Sequence, residues 1–239
     1  MRRTIYRIHY GFEWIYKSID SIKEWSDEII VCVSKQAWHN EKEVMYLGKK
    51  HPIVHPENIE ENIEKLKTIP KVSVVVREFE TPRNQWATLV NEYSTDWVLT
   101  MEPDMMFPFS PKELEKQNKH IYCEQIEYWK NENWRIPHRN RVGPVLYRKP
   151  SNITTPFNNL PLNAKYIKSS LITENYGFCF SESLMFYKHL LAIGFSKKIG
   201  DSIPNERWYE DKWLNWTKNT KNLEIAANFQ HNIPYAIEI

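Results

Sequence analysis

Apolar and polar positions alternate in blocks along the first 110 residues, and the blocks change period in a regular order. Residues 5–9 predict a strand, and residues 14–25 repeat Ile15, Ile19 and Ile22 on one helical face. After the Ser26-Asp27 turn, residues 28–33 predict a second strand. Residues 59–66 predict a helix and residues 72–76 a strand. Thr81-Pro82 then opens a helix through Arg83, Trp86, Leu89 and Val90 that ends near Ser94, and residues 97–101 return to an extended pattern. This alternation predicts an α/β chain with a mostly parallel, mixed central sheet flanked by helices.

The second half is less regular. Residues 122–134 are aromatic and charged, and the next stretch concentrates Arg135, His138, Arg139, Arg141, Arg148 and Lys149, a pattern shared by a solvated hairpin and an anion-binding surface. Pro150, Pro156 and Pro161 mark a loop. An apolar run follows Glu174-Asn175-Tyr176-Gly177, a helix is expected through residues 189–193 with Gly194 as its stop, and another helix is expected from Pro204 to Trp216.

With 41% apolar residues over 239 positions, the chain can bury one large core, and a single domain over 1–239 is expected. A net charge of +2 makes it no polycation, which counts against obligate nucleic-acid binding. Cys32, Cys123 and Cys179 lack metal-binding spacing and read as buried thiols of a reducing compartment. No apolar stretch reaches membrane-spanning length, so a cytoplasmic protein without a transmembrane segment is expected.

The candidate chemistry starts at residues 95–110, TDWVLTMEPDMMFPFS. An apolar strand there delivers Glu102 and Asp104, separated by Pro103, to its C-terminal end, a spacing suited to a divalent cation on a phosphate-bearing substrate. Open α/β sheets bind ligands beyond the carboxyl ends of their strands. That rule gathers residues 9–12, 34–36, 77–80 and 102–104 around one expected crevice.

Residues 9–33, together with ETPRNQWATLVNEYSTDWVLTMEPDMMF at 80–107, resemble the nucleotide-binding half of a family 2-like glycosyltransferase of the GT-A fold. Arg83-Asn84 and Glu102-Pro103-Asp104 occupy the places of that family's Arg-Asn helix start and Asp-x-Asp motif. Two residues depart from the pattern: Ser34 stands where the family often has Asp, and Glu102 replaces the first Asp. The resemblance implies a donor-binding half over 1–110 and an acceptor-shaping, catalytic half over 111–239. It implies a nucleoside-diphosphate sugar as donor, such as a UDP-sugar, with Mn²⁺ or Mg²⁺ held by Asp104, Glu102 and the late His231. His9, Tyr10, Phe12, Ser34, Arg83 and Asn84 would complete the donor site. Glu210-Asp211 resembles the family's Glu-Asp motif, which implies Asp211, or else Glu210, as the base that deprotonates the acceptor hydroxyl with inversion. The acceptor is expected to be a glycan or another hydroxyl-bearing molecule. Alternatives are a transferase acting on a hydroxylated base in DNA, a non-enzymatic nucleic-acid-binding module built on Arg135, Arg139, Arg141 and Trp134, and a nucleotidyltransferase.

Overall fold

The computed structural model describes residues 1–36, 41–78, 82–137, 142–154, 165–199, 205–223 and 234–239. In chain order the elements are β1 (Arg2–Ile8), α1 (Phe12–Ile22), β2 (Glu28–Val33), β3 (Glu43–Tyr46), β4 (Lys49–Pro52), α2 (Ile59–Lys67), β5 (Val72–Val76), α3 (Pro82–Glu92) and β6 (Trp97–Met101). There follow β7 (Met105–Met106), α4 (Lys112–Glu115), β8 (His120–Trp129), β9 (Asn131–Arg135), β10 (Val142–Arg148), β11 (Tyr166–Phe178), α5 (Glu182–Ile199), a π-helical turn (Tyr209–Leu214) and β12 (Ile237–Glu238). The chain divides into two compact units made of interleaved segments: Met1–Gln36, Asn58–Gln125 and Asn140–Asn175 form the first, and Ala37–Glu57, Ile126–Arg139 and Tyr176–Ile239 the second.

In the first unit the sheet includes the run β8-β10-β6-β1-β2-β5, with β8 antiparallel to β10. Strands β6, β1, β2 and β5 are parallel, and β10 adds antiparallel to β6. The α/β class and the mostly parallel sheet with flanking helices are therefore as expected. β2, β5 and β6 hold the predicted residues: the apolar runs of β2 and β6 suit strands buried on both faces, and the Val-rich β5 forms the partly exposed edge of the parallel run. On one face, Phe12, Ile15, Ile19 and Ile22 of α1 and Ile63 and Leu66 of α2 pack on Tyr6, Ile8, Ile29, Val31 and Val33. On the other, Trp86, Leu89 and Val90 of α3 pack on Ile5, Ile30, Cys32 and Val98. Two layers of helix thus pin the parallel strands, and with them the position of their C-terminal ends.

α1 begins earlier than its pattern predicted, at Phe12, because Gly11 turns the chain out of β1 with φ at 95°, a left-handed conformation that costs glycine little. It also ends earlier, and Trp25 is anchored instead by its indole N–H donating to Glu115 at 2.6 Å.

The second unit holds the β3–β4 hairpin, whose two-residue turn at Leu47-Gly48 has positive φ at both positions (46° and 74°) and pairs Tyr46 with Lys49. Val44 and Tyr46 of this hairpin pack on Leu190 and Ile193 of α5. α5 does not stop at Gly194: buried Leu190, Leu191 and Ile193 hold the helix through it, which outweighs a penalty of about 1 kcal/mol for a helical glycine. The helix expected from Pro204 is instead a turn at Glu206-Arg207 followed by the π-helical turn at Tyr209–Leu214. Among the described residues, no helix is long and apolar enough to cross a membrane.

Candidate functional site

The first unit brings β1, β2, β5 and β6 to one carboxyl edge. β6 ends at Met101, and Glu102-Pro103-Asp104-Met105 forms a tight turn closed by the Met105 N–H donating to the Glu102 carbonyl at 3.1 Å. Proline at the second position presets the backbone angle that such a turn needs. The turn is tied to α1 from beyond: the Ser18 hydroxyl donates to the Met105 carbonyl, and Ser21 Oγ accepts from the Phe107 N–H at 3.2 Å. Tyr6 on β1 meets the same Ser18 at 2.9 Å. Asp104, only 7% exposed, is therefore held on a backbone fixed from two sides.

Glu102 is engaged. Arg7, at the end of β1, donates from Nη2 to Glu102 Oε1, and the same guanidinium lies over the Trp86 indole at 4.9 Å. Trp86 is buried in the core beneath α3, as expected of a packing residue and not of an open platform. Trp86, Thr100, Glu102, Met105 and the Gly143–Val145 segment line a small cleft here.

Around the β2 end, His9 Nδ1 lies 2.9 Å from the Ser34 carbonyl oxygen, and the Ser34 N–H donates to the Ile8 carbonyl at 2.9 Å. The Ser34 hydroxyl donates to Glu78 Oε2 at 2.6 Å, and Glu78 Oε1 accepts from the Lys35 N–H at 2.7 Å. Glu78 thus brings a carboxylate from the end of β5 to the Ser34 loop. The sequence pattern singled out neither Glu78 nor Arg7: Glu78 follows the β5 pattern at the edge where ligands bind, and Arg7 lies inside the β1 pattern, near its carboxyl end.

The remaining expected donor residues fall as follows. Tyr10 is half-buried and packs edge-on against His9 at 6.1 Å. Phe12 is 1% exposed inside the core, where it packs α1 onto the sheet. Arg83 and Asn84 lie in the first turn of α3, with their side chains outside the described residues, as is the whole of His231. Among the described residues no group of three metal-ligating side chains is assembled.

Glu210 and Asp211 lie in the π-helical turn of the second unit, and their surroundings differ sharply. Asp211 accepts from Arg207 Nε and Nη2 at 3.1 and 3.2 Å on an exposed face, and the guanidinium holds its carboxyl below the ordinary range. Glu210 accepts from the Tyr46 hydroxyl at the tip of the hairpin, and its other oxygen is buried. Tyr46 is clasped by aromatic rings: His51 at 5.3 Å, Phe186 at 5.4 Å and His189 at 5.8 Å. His189 is 2% exposed, and its Nε2–H donates to the Glu206 carbonyl at 3.0 Å. Burial pushes the His189 pKa below its ordinary value. Nearby, the Lys130 ammonium sits 3.5 Å from the Trp213 ring centroid, and burial lowers its pKa also.

The described part of the basic segment is built into strands. Arg135 ends β9, while Arg148 ends β10 and donates to the Asn118 carbonyl at 3.2 Å. His138, Arg139 and Arg141 lie outside the described residues.

No protein-family model matches the sequence, and no curated protein matches it. Among solved structures, a mannosyltransferase of Pyrobaculum calidifontis in complex with GDP-Man and Mn²⁺ is similar over 87% of this chain and 67% of its own, at 11% identity and a TM-score of 0.47. Glucosyl-3-phosphoglycerate synthase of Mycobacterium tuberculosis, in complex with Mn²⁺, UDP and glucosyl-3-phosphoglycerate, is similar over 86% of this chain and 84% of its own, at 13% identity and a TM-score of 0.43. TarS of S. aureus is similar over 90% of this chain and 71% of its own, at 12% identity and a TM-score of 0.42. Likeness at this level assigns no activity.

Proposed function

We propose that this chain is a glycosyltransferase that moves a sugar from a nucleoside-diphosphate donor to an acceptor hydroxyl. The observation that supports it best is the Glu102-Pro103-Asp104 turn, fixed on α1 at the carboxyl edge of a parallel sheet, with the ends of β1, β2 and β5 beside it. His9, Ser34 and Glu78, at the ends of β1, β2 and β5, are proposed as the wall for the nucleoside, and on the resemblance Arg83 is proposed to bond the donor and Asn84 to hold a loop or the sugar hydroxyls.

A divalent cation fits this edge in one specific manner. Mg²⁺-type ions on nucleotides take one or two protein carboxylates and draw their other oxygens from phosphate and water, so a three-ligand protein cage is not needed. Asp104 is the residue for that role, with Glu102 beside it and His231 as a further donor. When bound, Mn²⁺ or Mg²⁺ supplies charge stabilisation for the departing diphosphate. The strand ends of the first unit are proposed to orient the donor, and Asp211 or else Glu210 is proposed as the base for the acceptor hydroxyl, with inversion, on the resemblance of Glu210-Asp211 to the family's Glu-Asp motif. The Arg207 ion pair lowers the basicity of Asp211, whereas Glu210 keeps the Tyr46 contact.

The test is turnover of UDP- and GDP-sugars with Mn²⁺ or Mg²⁺ by the intact chain and by Asp104→Ala, with products read by mass spectrometry. Metal-dependent hydrolysis or transfer that disappears in the variant is expected. Absence of donor binding by folded protein refutes the proposal, and transfer of the nucleotide instead of the sugar identifies a nucleotidyltransferase.

A further inference from the structure

We propose that the β3–β4 hairpin is a strap latched onto the acidic turn at Glu206 and Glu210, and that protonation of His189 unlatches it. The device lies wholly within the second unit and is independent of the chemistry proposed for the sheet edge.

The hairpin forms a two-stranded sheet of its own. A lone hairpin is marginal in water, so this one depends on what it is docked against. Its inner face gives Val44 and Tyr46 to a satellite cluster with Leu190 and Ile193 of α5. Its tip is clasped by two carboxylates: Glu206 Oε2 accepts from the Leu47 N–H at 2.9 Å, and Glu210 Oε1 accepts from the Tyr46 hydroxyl. Leu47 is held at φ 46°, a left-handed angle that leucine disfavours. The clasp therefore holds a strained tip, and release relieves it.

His189 is the group over which the strap closes. It lies on α5, 2% exposed, with its ring 5.8 Å from Tyr46, 5.7 Å from Trp208 and 6.4 Å from Tyr209. Its Nε2–H donates to the carbonyl of Glu206, the residue whose carboxylate holds Leu47. With the ring proton on Nε2, the lone pair is on Nδ1, and among the described residues nothing bonds to it. A second proton there creates a charge and an unmet N–H donor inside an aromatic box, which is the costly kind of burial. The titratable and charged groups around the box are Tyr46 of β3, His51 of β4, and Glu206, Tyr209 and Glu210 of the turn, with Arg207 tied to Asp211 on the exposed side. Glu206 and Glu210 favour a charged ring, but burial is the larger effect and keeps the His189 pKa below its ordinary 6.5. Tyr46 is the ring that the hairpin lays over His189. Lifting the hairpin removes it and lets water reach the imidazolium.

The sign follows from linkage. The closed strap has the lowered pKa, so its stability is complete above about pH 6.5 and is lost as pH falls. At pH 5.5 an open His189 with the ordinary pKa of 6.5 favours opening by up to about tenfold.

Amide hydrogen exchange of residues 43–52 in the intact chain, corrected for the pH dependence of intrinsic exchange, reads the strap directly. Between pH 8 and pH 5.5 the hairpin protection of wild type is expected to fall about three- to tenfold, while the amides of β2 and β6 keep theirs. His189→Gln retains a side-chain N–H for the Glu206 carbonyl and cannot ionise, and its hairpin protection is expected to change by less than about twofold. The ring titration of His189, followed by NMR in wild type, is expected to coincide with the loss of protection, and it decides the matter if His189→Gln does not fold. Hairpin protection that ignores pH, an equal fall in His189→Gln, which would point to His51, or a ring that titrates apart from the hairpin overturns the latch. A fall shared equally by β2 and β6 marks global unfolding and overturns it as well.

Discussion

Gly143 offers a quantitative test of the packing beside the candidate site. Its backbone is not left-handed, so the demand for glycine there is one of space. A β-carbon added to it would lie 3.0 Å from Thr173 Oγ1, 3.2 Å from Gln125 Oε1 and 3.3 Å from the Cys123 carbonyl oxygen. The carbonyl belongs to β8, which pairs with β10, and cannot swing aside without disturbing that pairing. The Thr173 hydroxyl is itself fixed by donating to the Glu124 carbonyl at 3.2 Å. Overpacking of this kind costs about 1–3 kcal/mol. Restricting the unfolded chain returns about 0.4–1 kcal/mol. Gly143→Ala should therefore lose about 1–2 kcal/mol in urea unfolding and melt about 2–8 °C lower. Removing the nearest obstacle with Thr173→Ala should make the double variant more stable than the sum of the single losses, by about 0.5 kcal/mol or more. A Gly143→Ala protein as stable as wild type, or strict additivity in the cycle, refutes the close-packing argument.

Tyr46→Phe removes the hydroxyl that donates to Glu210 and should destabilise the protein by about 1.5–3 kcal/mol in chemical unfolding, while Phe still fills the ring cluster; an unchanged midpoint would sink the idea. His189 has a folded pKa below its ordinary 6.5, so the unfolded chain takes the proton first as pH falls. Its stabilising contribution is complete above about pH 6.5 and declines below it toward the folded pKa. Unfolding midpoints compared at pH 8 and pH 5.5 should fall less in His189→Gln than in wild type, and equal declines would contradict this. Arg207→Gln should leave the melting temperature unchanged, because its pair with Asp211 is exposed. The same variant lets the Asp211 pKa rise toward the ordinary carboxylate range. If Asp211 is the base, the acid limb of the kcat/KM profile then moves to higher pH; an unmoved limb assigns the role to Glu210.

Elements whose cause is local were legible in the sequence. β2, β5 and β6 are mostly apolar runs between turns, and the Glu102-Pro103-Asp104 turn announces itself by its proline. What escaped was set by distant partners. Gly194 reads as a helix stop until the packing of α5 against β3 is known. The Leu47-Gly48 hairpin was hidden because Leu47 adopts a left-handed angle that sequence rules assign to glycine or asparagine. Arg7 finds Glu102, Ser34 finds Glu78 and Tyr46 finds Glu210 only through the fold. Composition and spacing therefore located the edge of the sheet where chemistry is expected, but not the ion pair and hydrogen bonds formed there.

The central place of β1 in the sheet also constrains how the chain is made. β2 reaches β1 after a single helix, but the partner on its other side, β6, begins only at Trp97. During synthesis at roughly 5–20 residues per second, one edge of β1 stays open for several seconds. An unpaired edge of that kind is a template for the strand of another nascent chain. Crowded expression should therefore favour aggregates seeded by the first strand, and slowing initiation or supplying a holdase should raise the soluble yield more than any change in the finished fold.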